Sequence, residues 1–303
     1  MMNQWPNIAE VSRQEWQESA KQKGWWLLVD SAINSDVLNF IPAPQPQSRL
    51  YWDEMGEVHA SISPYLIPMH SIDWLDENIT HKSNWGMAVQ INEAFHDETL
   101  DRQQEILLSH LRTWSLAQAP EQEVAILRIN DWSIFHVLWN ATAAEKQPEL
   151  KGPIQSLCYW EAEDESAFMS NLTGDMNPEV LVKTPIQLTD EQYLGLSNWA
   201  DRHQHQKYRE HLQQHHQDTH KWSEDEWKAF LSQQTKQARD YGFEQPNDVV
   251  RYLSLSVVMG KDFIDTSWAK EVLSKPSHQG KKSHMDQLFA QALKQLNEES
   301  STS

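Results

Sequence analysis

The sequence predicts an α+β protein: an N-terminal α/β domain with a mixed sheet flanked by helices, followed by an all-helical C-terminal domain. Three observations carry this. Up to about residue 160, short continuous apolar runs alternate with segments of helical periodicity, as interior strands alternating with covering helices require. Beyond residue 185 only the helical period remains. The charge changes at the same place: residues 1–185 carry 11 Lys and Arg against 27 Asp and Glu, whereas residues 186–303 carry 14 against 17. A chain of 303 residues has room for two such cores.

In order along the chain, Ser12-Arg-Gln-Glu15 has capping-box spacing and opens a helix that Gly24 stops. Trp25–Val29 reads as a buried strand, Ser35–Phe40 as a short helix, Arg49–Trp52 as a strand and Pro64–Ile67 as another strand-like run. Ser71–Ile79 suits a short helix and Trp85–Ile91 a strand. From Asp97 to Trp114 the residues Leu100, Leu107, Leu108, Leu111 and Trp114 repeat at three and four, which lines them along one helix face. Glu123–Ile129 reads as the clearest strand, and Asp131 caps a helix through Trp139. Ala141–Pro153 breaks the pattern before a last strand, Ile154–Trp160.

The expected divisions are an N-terminal helix in 1–23, the α/β domain in 24–170, a connector in 171–185 with Gly174, Pro178 and Pro185, and the helical domain in 186–297. Thr189-Asp-Glu-Gln192 and Ser223-Glu-Asp-Glu226 are further capping boxes, the second helix ending at Gly242. Asn247–Gly260, Trp268–Leu273 and His284–Leu296 complete the helices, and 298–303 reads as a disordered polar tail.

Several functions lose support. A net charge of −19 repels phosphate backbones and anionic lipid, which argues against nucleic acid and membrane as partners. No run of eighteen apolar residues occurs, and residues 1–10 lack a basic stretch followed by an apolar one, so a cytoplasmic location is expected. Nine glycines form no GxGxxG, Walker or GxSxG motif. The single cysteine, Cys158, lies in an apolar run and reads as a buried thiol; its alternative is a nucleophile in a hydrolase whose active site is scattered along the chain. His203, His205, His211, His215, His216 and His220 include pairs at i,i+4, which suits either a solvated polar face or a metal-binding module. Asp73/Asp76 and the run Glu161–Glu165 read as solvated acids in preference to an acid–base pair. No catalytic residue, metal site or cofactor is assigned.

The segments Trp25-Trp-Leu-Leu-Val-Asp30-Ser-Ala32, Arg49-Leu-Tyr51, Ser63-Pro-Tyr-Leu-Ile67, His110-Leu-Arg112 and Val124-Ala-Ile-Leu-Arg128-Ile-Asn-Asp131, in that order, resemble the domain found in bacterial type VI secretion adaptor chaperones. The likeness spans about residues 24–150 and echoes rearward in Leu188–Gln192 and Tyr241–Phe263. It implies a non-enzymatic cytoplasmic protein that binds one effector and helps load it onto the VgrG spike. Ser31 and Trp132-Ser133 depart from the family's usual glycine and Pro-Arg.

Asp30 ends the first strand, Arg128 ends a buried strand and Asp131 begins a helix, so the three charges are expected at one sheet edge beside Tyr51 and Tyr65. They suit either an internal ion-pair network or direct partner contact. With Arg112 and Trp132, and with Trp222, Trp227 and Trp268 as aromatic anchors on the rear helices, they make up the candidate partner-binding residues.

Overall fold

The computed structural model describes residues 8–33, 48–69, 86–120, 124–161, 166–172, 185–275 and 283–301. The helices expected at Ser35–Phe40 and Ser71–Ile79, and most of the acidic run and of the connector, lie outside the described residues. The chain divides into two compact units, residues 1–199 and 200–303. The first holds the strands together with helices, and the second is helical.

The main sheet of the first unit is built from β1 (Ile8–Val11), β2 (Trp25–Val29), β3 (Tyr65–Pro68), β4 (Gly86–Ile91), β7 (Ile154–Glu161) and β8 (Ser166–Asn171). Their order is β1-β8-β7-β4-β2-β3, and every pairing is antiparallel. A small sheet joins β5 (Leu116–Gln118), β6 (Val124–Ile126) and β9 (Ile186–Gln187), in the order β6-β5-β9. The parallel pairing of this α+β unit is found there, between β5 and β9.

β2 has no polar residue because it is covered on both faces. Trp26 and Leu28 enter the larger core with α3 (Leu100–Trp114) and α4 (Trp132–Ala141), whereas Trp25, Leu27 and Val29 pack with Trp16 of α1 (Arg13–Ala20). That split follows from the two-residue period of a strand. The Trp16 and Trp25 rings meet edge to face at 5.2 Å. Each fully buried apolar side chain here contributes about 1.5–3 kcal/mol over the exposed state.

Helix ends follow their capping residues. Ser12 completes a capping box with Glu15, and Thr189 exchanges bonds with Gln192 in the same way at the start of α6 (Asp190–His215). Arg49–Trp52, expected as a strand, contributes a single bridge from Arg49 to Tyr65, and α2 (Asp53–Val58) begins directly after it. Val124–Ile126 is a strand, but all three residues are exposed, so Arg128 does not end a buried strand. The reason is position: β6 is the outer strand of the small sheet.

In the second unit, α7 (Glu224–Asp240), α8 (Pro246–Met259), α9 (Ser267–Ser274) and α10 (His284–Ser301) enclose a core with Tyr208 and Leu212 of α6. Ser223 and Glu226 form the capping box of α7, and Gly242 takes φ +83° just beyond its end. The helical part continues through Ser301, into the stretch expected as a tail. Among the described residues no helix is long and apolar enough to cross a membrane.

One turn of the first unit is held by a glycine. Gly152 follows α5 (Gln147–Lys151) at φ +52°, and a Cβ there would lie 2.3 Å from the His110 ring. His110 Nε2 bonds the Leu150 carbonyl at 2.9 Å, tying α3 to this turn. Burial holds the His110 imidazole at a pKa of about 4, which the Leu150 bond only partly opposes. Gly152→Ala is expected to lose about 2 kcal/mol or more through the clash and the left-handed backbone, read as a lower urea midpoint. A pH effect is expected as well. Between about pH 6.5 and pH 4 the unfolded chain takes up a proton at His110 that the folded chain refuses, so stability present above pH 6.5 is lost on acidification. His110→Gln keeps a donor and removes the titration. Its urea midpoint should fall less than that of the parent chain between pH 7 and pH 5.

Candidate functional site

The apolar run of β2 ends in a charge that the surrounding core does not release to water. Asp30 is 1 % exposed. Its Oδ1 accepts from the backbone N–H groups of Ala32 at 3.0 Å and Ile33 at 3.3 Å, and its Oδ2 accepts from Arg128 and from Asn130 Nδ2 at 2.6 Å. Four donors therefore surround one buried carboxylate, as its desolvation demands. Arg128 and Asn130 both come from the turn between β6 and α4, which the bond from Asp131 N–H to Arg128 O closes at 2.9 Å. The Asp30 side chain is 2 % exposed and that of Arg128 is 45 % exposed. The result is a surface arginine fixed from beneath by a buried counter-charge.

The neighbouring loop is locked by hydroxyl groups. Ser31 Oγ donates to the Ser63 carbonyl at 3.0 Å, and the Tyr51 backbone N–H donates to Ser63 Oγ at 3.1 Å. Tyr51 itself is buried near the ion pair. Burial raises its phenol above the usual range, Arg128 opposes that shift and Asp30 adds to it. One step along, Arg49 Nε donates to the Tyr65 hydroxyl at 3.1 Å, and Arg112 donates to the Arg49 carbonyl at 2.7 Å. The Arg112 guanidinium lies 5.8 Å from the Trp52 ring centre. Its pKa is lowered by burial, against the pull of Asp53. Gln104 of α3 completes the anchorage with bonds to Ser48 Oγ and the Leu66 carbonyl.

Asp30, Arg128 and Tyr51 are thus brought together, while Tyr65 and Arg112 form an adjoining cluster through Arg49. Asp131 is not part of the ion pair: its carboxylate caps α4 by accepting from Ser133 N–H at 2.9 Å and Ser133 Oγ at 2.5 Å. Trp132 stacks on Tyr159 at 3.8 Å, and Tyr159 on Phe168 at 5.3 Å, so its ring serves the core. In the second unit Trp227 is 2 % exposed and lies beneath Arg209, which pairs with Glu224. It is a core residue and not a surface anchor, because α7 directs Trp227, Phe230, Leu231 and Ala238 inward along one face. Trp222 and Trp268 are half-buried, against Trp227 and Phe230 and against Phe263 respectively. Asn130 and Ser63 escaped the sequence reading. A polar amide two residues after Arg128 and next to Asp131 was the available signal for Asn130.

Cys158 lies in β7 in register with Ala88 and Met169, fully buried, and burial pushes its thiol well above the usual range. The rings of His211 and His215 are 4.4 Å apart, but no group of three or more His, Cys, Asp or Glu is arranged to hold a metal ion among the described residues.

The pair has a clear energetic signature. Arg128→Ala leaves a buried carboxylate with neutral donors only and is expected to cost about 3 kcal/mol. Adding Asp30→Asn should recover much of that loss, since a neutral amide needs no counter-charge and the buried Asn130 Oδ1, which has no partner among the described residues, can accept from it after an amide flip. Urea unfolding of the two single variants and the double variant checks this as a double-mutant cycle.

No solved structure matches the chain. Residues 25–149, the stretch that supplies Asp30, Tyr51, Tyr65, Arg112, Arg128, Asp131 and Trp132, match the family model described as Domain of unknown function (DUF4123).

Proposed function

We propose that this chain is a cytoplasmic adaptor that holds one type VI secretion effector and helps load it onto the VgrG spike, and that it catalyses no reaction. The observation that carries this reading is the family match over residues 25–149, whose ordered segments resemble those of the adaptor chaperones. The site supports it in kind. A buried carboxylate held by four donors makes a firm mount for an exposed guanidinium. Arginine held rigid in this way binds a carboxylate or a carbonyl pair with little loss of side-chain freedom. Charge supports two partners, since the acidic front and nearly neutral rear present unlike faces.

The reading is tested by capture from lysate of cells that carry a type VI system. The tagged full chain is expected to retain one effector and VgrG; retention of neither overturns the proposal. The stability-restored variant Asp30→Asn with Arg128→Ala is expected to lose at least 10-fold of the retained effector while its unfolding midpoint stays near that of the parent chain. Unchanged retention would assign the pair to folding alone.

A further inference from the structure

A second feature of the first unit lies away from the Asp30–Arg128 pair. A cavity of about 780 Å³ opens where the end of α3, the end of α4, α5, β9 and the start of α6 meet. Its apolar wall includes Trp114, Ala141, Ala143, Pro185 and Ile186. That volume is in the range of sites that enclose a large side chain or a small ligand. Two features mark the cavity wall. Trp114 is nine-tenths buried, yet its indole N–H has no acceptor among the described residues, an arrangement native cores seldom leave unmet.

The second feature is a strand edge. Among the described residues β9 is the terminal strand of the small sheet, paired to β5 on one side. Leu188 N–H donates to the Gln118 carbonyl at 3.1 Å across that pair. By the alternation of a strand, the N–H and C=O of Gln187 therefore face the opposite side, away from β5. Gln187 also lines the cavity. A main-chain donor and a main-chain acceptor thus stand beside an apolar hollow, which matches an extended peptide better than a rigid small molecule.

Charge narrows the peptide. On the rim Lys146 is held by Glu149 at 2.7 Å, so those two cancel, and Glu191 adds a negative charge. The surrounding N-terminal part, residues 1–185, carries a net −16. We infer that this cavity receives an extended segment of the cargo protein, pairing with the Gln187 edge and inserting one large apolar side chain, flanked by basic residues, against the Trp114 wall. The identification of the peptide as cargo rests on the adaptor reading; the peptide site itself does not.

The test uses the full chain labelled with ¹⁵N and five blocked pentapeptides. Four have the form Lys-Val-X-Val-Lys with X as Leu, Phe, Trp or Asp, and the fifth is Glu-Val-Phe-Val-Glu. Trp114→Phe identifies the Trp114 indole signal. At least one of the Leu, Phe and Trp peptides is expected to shift that signal with half-saturation at or below about 1 mM, an affinity of about 4 kcal/mol. The Asp peptide and the acidic peptide should bind at least 10-fold more weakly. Ala143→Trp, which fills the cavity from its exposed rim, should abolish the shift without lowering the unfolding midpoint, and Gln187→Pro, which removes the edge donor, should weaken it. No shift with any peptide, or equal shifts with the acidic and basic ones, overturns the inference. Effector capture separates the two proposals. Retention of an effector by the parent chain and equally by Ala143→Trp removes the cavity from cargo binding and leaves the adaptor reading intact. Failure of the parent chain to retain an effector removes the adaptor reading while the peptide titration still decides the site.

Discussion

Covering β2 on both faces is the constraint from which the rest of the first unit follows. An apolar strand with Trp26 and Leu28 on one side and Trp25, Leu27 and Val29 on the other cannot sit at a surface, so helices must lie over both faces. The same burial reaches one residue further than the apolar run does. Asp30 is drawn into a dry environment at the end of the strand, and a carboxylate there persists only with donors on every side. The backbone of Ala32 and Ile33 supplies two, and the turn before α4 supplies the other two. A packing demand on a strand thereby fixes the position of a loop nearly a hundred residues away.

That link also fixes the surface above it. Arg128 has one end committed to Asp30 and the rest of its guanidinium near solvent, so its place is set before any partner arrives. Tyr51, Ser63 and Ser31 stiffen the adjoining loop through bonds between side chain and main chain, and Arg49 with Arg112 extends the fixed polar surface along α3. The Asp30 carboxylate has four donors, and the Cys158 thiol is sealed inside the sheet.

Local signals were legible in the sequence, and non-local ones were not. Ser12, Thr189 and Ser223 mark helix starts through residues three positions apart, and Trp25–Val29 declares its burial by composition. β1 and β8 were missed because Ile8–Val11 and Ser166–Asn171 are short and partly polar; what makes them strands is a pairing over about 160 residues, Ile8 with Ser170. The stretch around Val124–Ile126 has an interior strand's composition but occupies an edge, because apolar content cannot say which strand ends a sheet. For the site, Asp30 and Arg128 were placed together from their positions at element ends. Asp131 was grouped with them although its carboxylate is consumed by Ser133, and Trp227 was drawn outward by its charged neighbours although helical spacing turns it inward.

The sheet order also says how much chain the site needs. Residues 25–149 include β4, β2 and β3 of the main sheet together with α3, α4, β5 and β6. The other half of that sheet, β7, β8 and β1, comes from residues 154–171 and 8–11. β7 pairs along β4 from Ala88 to Ile91, and Leu157, Tyr159 and Ile154 join the same core as Val89 and Trp139. Without β7, the N–H and C=O groups of β4 on that side would face open solvent beside apolar side chains, the arrangement that native sheets avoid. Residues 25–149 therefore supply the Asp30–Arg128 pair, and the strands on either side of them in sequence supply the closure that lets β2, and with it Asp30, stay buried.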